Sequence, residues 1–228
     1  MGIYDIAQVL EHSGKVVFNL TEIATILGKE KRTAKVYVQR MLRRKLLFPV
    51  SRGIYSIADD PLLISTQIVE NSYVSFVSAL QVRHATTQLP SDVQVVVPKK
   101  IKIIATGISF IKFPPSKIFG YVQERIGQTS INVAETEKAI ADIAYRPRVA
   151  VLHYAYDALE SCNHEKVLAY AQRMSAVAYK RIGYMLDMKG FELKPDERFI
   201  KGIHKFNPLI KRKGKFNSKW KLYINEEL

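Results

Sequence analysis

The first sixty residues constrain the fold most, because they switch twice between helical and strand periodicity within a short span. Ile3, Ile6, Val9 and Leu10 recur at helical spacing and predict a short amphipathic helix ending near residues 12–14. Val16 to Phe18 is a brief apolar run suited to a small strand. Leu20, Ile23, Ala24 and Leu27 mark one face of a second helix, with Asn19 or Thr21 available as cap and Gly28 as terminator. A third helix is expected over 33–45, with Ala34, Tyr37 or Val38, Met41 and Leu42 inward. Residues 46–57 then read as two short strands around the turn Ser51-Arg52-Gly53. Helix, helix-turn-helix and hairpin, in that order, predict a winged helix-turn-helix domain over 1–60.

The outward face of the third helix carries the chemistry. Lys31, Arg32, Lys35, Gln39 and Arg40 are candidates for base edges or nearby phosphates, since Gln can read adenine and Arg guanine through paired hydrogen bonds. Arg43, Arg44 and Arg52, the last at the wing tip, are candidates for phosphate. The whole chain agrees in sign: 35 Lys+Arg against 21 Asp+Glu leave a net charge of +14 over 228 residues. Such a surplus suits a binder of a polyanion, because each cation placed on a phosphate releases a counterion. Residues 1–60 hold ten basic and six acidic side chains, and the acids mostly lie off the third helix.

Asp59-Asp60-Pro61 reads as a boundary, two acids before a helix-breaking proline. Beyond it, residues 61–228 are expected to form a larger α+β domain with a small, mainly antiparallel sheet and a helical half. Helices are expected over 73–85, 135–144, 149–159 and 165–186, and strands over 92–98, 101–104, 108–113 and 131–133. Residues 199–228 form a basic tail, eight cations against two acids, in which Phe216 and an alternating Trp220, Leu222, Ile224 strand are interleaved. Lys99, Lys100 and Lys102, with Lys211, Arg212, Lys213 and Lys215, are candidates for flanking phosphates. A tail packed as a lysine-protected edge strand accounts for the same residues.

Other chemistry is poorly supported. One cysteine, Cys162, cannot build a disulfide framework, and His153, Cys162 and His164 make poor zinc spacing without a fourth ligand, so no metal site is expected. No Gly-rich phosphate loop or Gly-x-Ser-x-Gly elbow is present, so no cofactor and no catalytic residues are expected. Asp187 with Glu192 and Lys194 is the nearest approach to a metal-dependent nuclease, but the spacing is too short for acids on neighbouring strands. Scattered tyrosines form no regular RNA-stacking platform. No apolar run is long enough for a membrane helix and no signal peptide is recognisable, which leads to a cytoplasmic expectation. The alternatives to a DNA-binding regulator are a protein-interaction module for an acidic partner or toxin, an RNA-binding protein, and a nuclease.

Four stretches together resemble one family. They are Arg52-Gly53-Ile54-Tyr55; Tyr73-Val74-Ser75-Phe76-Val77-Ser78-Ala79-Leu80 with Gln88-Leu89-Pro90 downstream; Val133-Ala134-Glu135-Thr136-Glu137-Lys138-Ala139; and Lys215-Phe216-Asn217-Ser218-Lys219-Trp220. Their order is similar to that in the AbiEi-like antitoxins, transcriptional regulators of abortive-infection toxin–antitoxin loci in prokaryotes. The chain departs from the family at His84-Ala85, where a glycine often follows the histidine. The resemblance implies an N-terminal domain that binds double-stranded DNA at its own operator, with inverted repeats, and represses the operon. It further implies a C-terminal domain tied to antitoxin activity. The partner implied is a nucleotidyltransferase-like toxin, counteracted without a tight complex.

Overall fold

The computed structural model describes residues 2–228 and is a mixed α+β fold. It divides into two compact units that interleave along the chain. The first comprises the residues up to Val74, Ser91–Phe113 and Gln123–Asn132; the second comprises Ser75–Pro90, Pro114–Val122 and Val133–Leu228.

In the first unit, α1 (Ile3–Glu11) buries Ile6, Ala7 and Leu10. β1 (Val17–Asn19) leads directly into α2 (Leu20–Leu27). Asn19 makes that junction sharp: its side chain accepts from the Thr21 and Glu22 N–H groups, while Glu22 accepts from the Asn19 N–H. Gly28, at φ +60°, ends α2 in the left-handed region that glycine adopts without steric cost. α3 runs over Lys31–Arg43, two residues earlier at each end than the sequence pattern suggests. Lys31 and Arg32 therefore open the helix rather than precede it.

β2 (Phe48–Ser51) and β3 (Ile54–Ser56) form a hairpin whose tip is Arg52-Gly53, and β1 pairs antiparallel with β3 to give the order β1-β3-β2. Ile6, Leu10, Phe18, Ile23, Val38, Met41 and Leu47 pack into one core that fixes α3 against α1, α2 and the hairpin. Each such buried side chain contributes roughly 1.5–3 kcal/mol.

This segment does not stop at residue 60. Val16, Val17 and Val50 continue into a second cluster with Ile64, Val69, Val95, Val97, Ala105 and Ile108. The Gln67 side chain also accepts from the Val16 and Val17 N–H groups. Pro61 opens the short helix α4 (Pro61–Ile64), capped by Asp60, instead of a linker.

A five-stranded sheet follows, with strands β4 (Tyr73–Val74), β5 (Val93–Val97), β6 (Ile108–Lys112), β7 (Tyr121–Ile126) and β8 (Thr129–Ala134) in the order β6-β5-β4-β8-β7. Here several sequence expectations need correction. Residues 73–85 are not one helix. Tyr73-Val74 pairs with Val96 and Val95, and the helix α5 (Phe76–Val82) starts only after Ser75. Residues 101–104 form no strand, and β5 and β6 pair in parallel within a sheet expected to be mainly antiparallel.

In the second unit, α6 (Thr136–Tyr145) is buried on every side from Lys138 to Ala144 and packs against α5, α7 (Leu152–Ala158), α8 (His164–Met174) and α9 (Ala176–Met188). The single helix expected over 165–186 is two. Ser175 takes an extended conformation and its hydroxyl accepts from the Ala178 N–H, so a side-chain cap starts α9 inside an otherwise helical pattern. The polar centre of this unit is the fully buried pair Lys138–Asp142, to which the Ser75 hydroxyl donates.

The basic C-terminal stretch is not a loose tail. β9 (His204–Lys205), β10 (Lys215–Asn217) and β11 (Leu222–Ile224) form a sheet in the order β10-β11-β9, with β10 at an edge. Trp220 is buried against Gly183, and its indole N–H donates to Asp187 at 2.6 Å. Arg181 donates to the carbonyls of Ala144 and Phe206, and Lys180 to those of Lys201 and Gly202. Burial lowers the pKa of both, that of Arg181 to about 10. Among the described residues no helix is long and apolar enough to cross a membrane.

Candidate nucleic-acid interface

α3 has two faces with opposite chemistry. Ala34, Val38 and Met41 are buried. Lys31, Arg32, Lys35, Gln39, Arg40 and Arg43 are all exposed and follow one another around the other side of the helix. Arg52 is exposed at the hairpin tip of the same unit. Arg44 is also exposed: it is the C-cap residue, about 40° beyond Arg40 round the axis. It borders the face that the other six share, at its C-terminal end.

The local electrostatics are unusual for a helix start. The first turn holds no acid, and the cap residue Glu30 makes no side-chain cap bond. Lys31 and Arg32 instead place two cations where the helix already has unpaired N–H groups and a partial positive charge. Within residues 29–52 nine side chains are basic and one is acidic. None of the cations on α3 or at Arg52 is held in an ion pair among the described residues; the pair nearest in sequence is Lys15–Glu22, between the turn before β1 and α2. Arg40 lies 6.0 Å from the Tyr37 ring, a contact that steadies its stem without neutralising it.

Sequence reasoning missed Lys29 and Lys45. Both are exposed, one in the turn before α3 and one just after it. Lys45 ends the helix at φ +55°, where glycine is commoner. The run Lys29-Glu30-Lys31-Arg32 was the available signal for the first.

The flanking candidates fall into two groups. Lys99, Lys100 and Lys102 are exposed in the loop between β5 and β6 of the first unit, and Ile101 among them packs on the cluster that holds Val50 and Ile54 of the hairpin. Lys211, Arg212, Lys213 and Lys215 belong to the second unit and surround its C-terminal sheet.

Asp187, His164 and Cys162, considered for other chemistry, lie within the packed second unit. Asp187 accepts from Lys219 and Trp220. His164 meets the Leu159 carbonyl at 2.8 Å, and burial, then Glu137, pushes the Cys162 thiol up to about 12. Among the described residues no group of three His, Cys, Asp or Glu is arranged to hold a metal ion.

No protein-family model matches the chain, and no curated protein matches it. Among solved structures it is similar to the crystal structure of the RV2827C protein from Mycobacterium tuberculosis, with a TM-score of 0.63. The match covers 95% of this chain and 89% of that one at 14% sequence identity. At that identity the likeness concerns the fold alone.

Proposed function

We propose that the chain is a sequence-specific, double-stranded-DNA-binding regulator of transcription. On this reading its N-terminal segment is a winged helix: α2 and α3 are the helix-turn-helix, β2 and β3 the wing, and β1 the strand that closes the wing sheet. α3 enters the major groove, Gln39 and Arg40 reach base edges, and Lys31, Arg32, Lys35, Arg43 and Arg52 hold phosphate. The carrying observation is the cationic start of α3. Lys31 and Arg32 add charge to the positive end of a helix dipole, with no acid in that first turn and no side-chain cap bond from Glu30. That arrangement suits an external anion at the start of α3.

The resemblance to AbiEi-like antitoxins makes the operator of the chain's own operon the first target. It also suggests a nucleotidyltransferase-like toxin as functional partner, counteracted without a tight complex, and a cytoplasmic, non-enzymatic role that needs no cofactor. The direct test is fluorescence anisotropy with the upstream DNA of the gene and a scrambled duplex at about 150 mM salt. A preference of roughly a thousandfold or more is expected. Equal affinity for the two duplexes would remove the regulator reading.

A further inference from the structure

We propose that the C-terminal sheet is a docking surface for single-stranded nucleic acid, with Phe216 as the base-stacking residue. The inference does not rest on the regulator reading; it is carried by a different part of the molecule. Strand pairing puts Phe216 opposite Tyr223, and Tyr223 opposite Lys205, so one row crosses β10, β11 and β9 on a single face. The adjacent row, Asn217, Leu222 and His204, belongs to the other face, where Leu222 is buried. The Phe216 and Tyr223 rings stand 5.3 Å apart, and Phe216 is 41% exposed on an edge strand. Lys213 places its ammonium 4.3 Å from the centre of the Tyr223 ring.

The loop over 206–214 carries Lys211, Arg212 and Lys213 beside this row and is firmly tied. Lys205 donates to the carbonyls of Ile210 and Lys211, Arg212 donates to that of Asn225, and the Asn225 amide donates to Asn207, Ile210 and Arg212. Gly214 lies so close to the Ile224 carbonyl that a Cβ would overlap it. The cations are therefore held beside the aromatic pair before any ligand arrives, which lowers the ordering cost of binding.

A groove of about 360 Å³ opens beside β10, lined in part by Tyr184, Arg212 and Phe216 and also by Glu226 and Glu227. Those carboxylates repel phosphate and accept hydrogen bonds from exocyclic amines, so the groove suits a base edge more than a backbone. Exposed aromatic side chains on a sheet rimmed by cations form the surface that unpaired bases stack upon; a paired duplex has no free base faces to offer it.

The test uses the full chain and fluorescein-labelled 12-mers of one mixed sequence, as RNA, as single-stranded DNA and as an unrelated duplex. Phe216→Ala is expected to weaken both single strands roughly 5- to 150-fold and to leave duplex binding within about twofold. Phe216→Tyr retains the affinity. Removing Lys211 and Lys213 together reduces the single-strand salt slope by about 1.4. Phe216→Leu keeps apolar bulk but not the ring, so it separates stacking from folding, and Trp220 emission reports whether each variant is folded. Ultraviolet crosslinking of the RNA gives adducts at Phe216 or Tyr223. Unchanged single-strand affinity in both the Ala and Leu variants, or adducts confined to α3, would overturn the proposal while leaving duplex recognition untouched.

Discussion

The salt dependence of duplex binding can be worked out from the placement of side chains on α3. Six exposed cations share its outer face and the hairpin tip: Lys31, Arg32, Lys35, Arg40, Arg43 and Arg52. With Arg40 on a base edge, five remain for phosphate. Five contacts give a log–log salt slope of about −4.5. A fourfold rise in salt, from about 50 to 200 mM, then weakens binding by roughly 500-fold. Replacing Lys31, Lys35 and Arg43 together by alanine leaves two contacts and a slope near −1.8, so the same rise costs only about 12-fold. Arg40→Ala behaves differently. It lowers operator affinity by roughly 1–3 kcal/mol, barely affects a scrambled duplex, and changes the slope by one unit at most. Arg44→Ala, beside Arg40 at the C-terminal edge of that face, changes the slope by one unit at most. Anisotropy titrations of the four proteins at several salt concentrations measure all of this. A triple variant with the slope of the parent would refute the assignment of α3 to the DNA, and equal losses on both duplexes would make Arg40 a phosphate contact.

Three further outcomes concern the second unit. Asp142→Ala takes the carboxylate away from the fully buried Lys138 ammonium and from the Ser75 hydroxyl, so it should cost roughly 3–5 kcal/mol and about 6–20 °C in Tm. The double variant Lys138→Met/Asp142→Leu should recover most of this in thermal denaturation; a single-variant cost below about 1 kcal/mol would contradict it. Gly183→Ala sets a methyl group into the Trp220 ring and should destabilise by roughly 1–3 kcal/mol in spite of the better helix former, with a red shift in emission from the chain's single tryptophan. Burial raises the Glu135 pKa, but hydrogen bonds from Lys166 and Tyr170 outweigh it, so the carboxyl titrates below its ordinary 4.5. Its stabilising contribution is present above that pH and is lost as pH falls through the lower folded value; denaturant titrations should show that Glu135→Gln removes this acid-dependent step.

Where local chemistry decides the backbone, the sequence is a good guide. Asn19 and Gly28 bracket α2 in the primary structure and do so in space. The valine run before Pro98 is β5, and Arg52-Gly53 is the hairpin tip. Failure comes where tertiary contacts override periodicity. Tyr73 to Leu80 is apolar enough for a helix, yet Tyr73-Val74 is taken by pairing with Val95 and Val96, and Phe76 turns the chain at φ +54°. The domain boundary illustrates the same limit. Asp59-Asp60-Pro61 looks like a linker, but Val16, Val17 and Val50 share a core with Val95 and Val97, and no local pattern announces a contact between residues so distant in sequence.

The two candidate surfaces were legible to different degrees for a physical reason. An exposed helical row is periodic in sequence, so Lys35, Gln39 and Arg43 announce a common face before any coordinates exist. Cross-strand rows are not: Phe216, Tyr223 and Lys205 become neighbours only through strand register, one antiparallel and one parallel. What composition does convey is the sign of the net charge. Among the described residues the cations of α3 make no ion pair, whereas Arg181 and Lys180 are spent on backbone carbonyls. Lysines and arginines thus serve two ends here, and net charge alone cannot separate them. The separation comes from exposure and partnership. A buried cation with carbonyl acceptors holds the fold together, and an exposed one at the positive end of a helix has its favourable partner outside the chain.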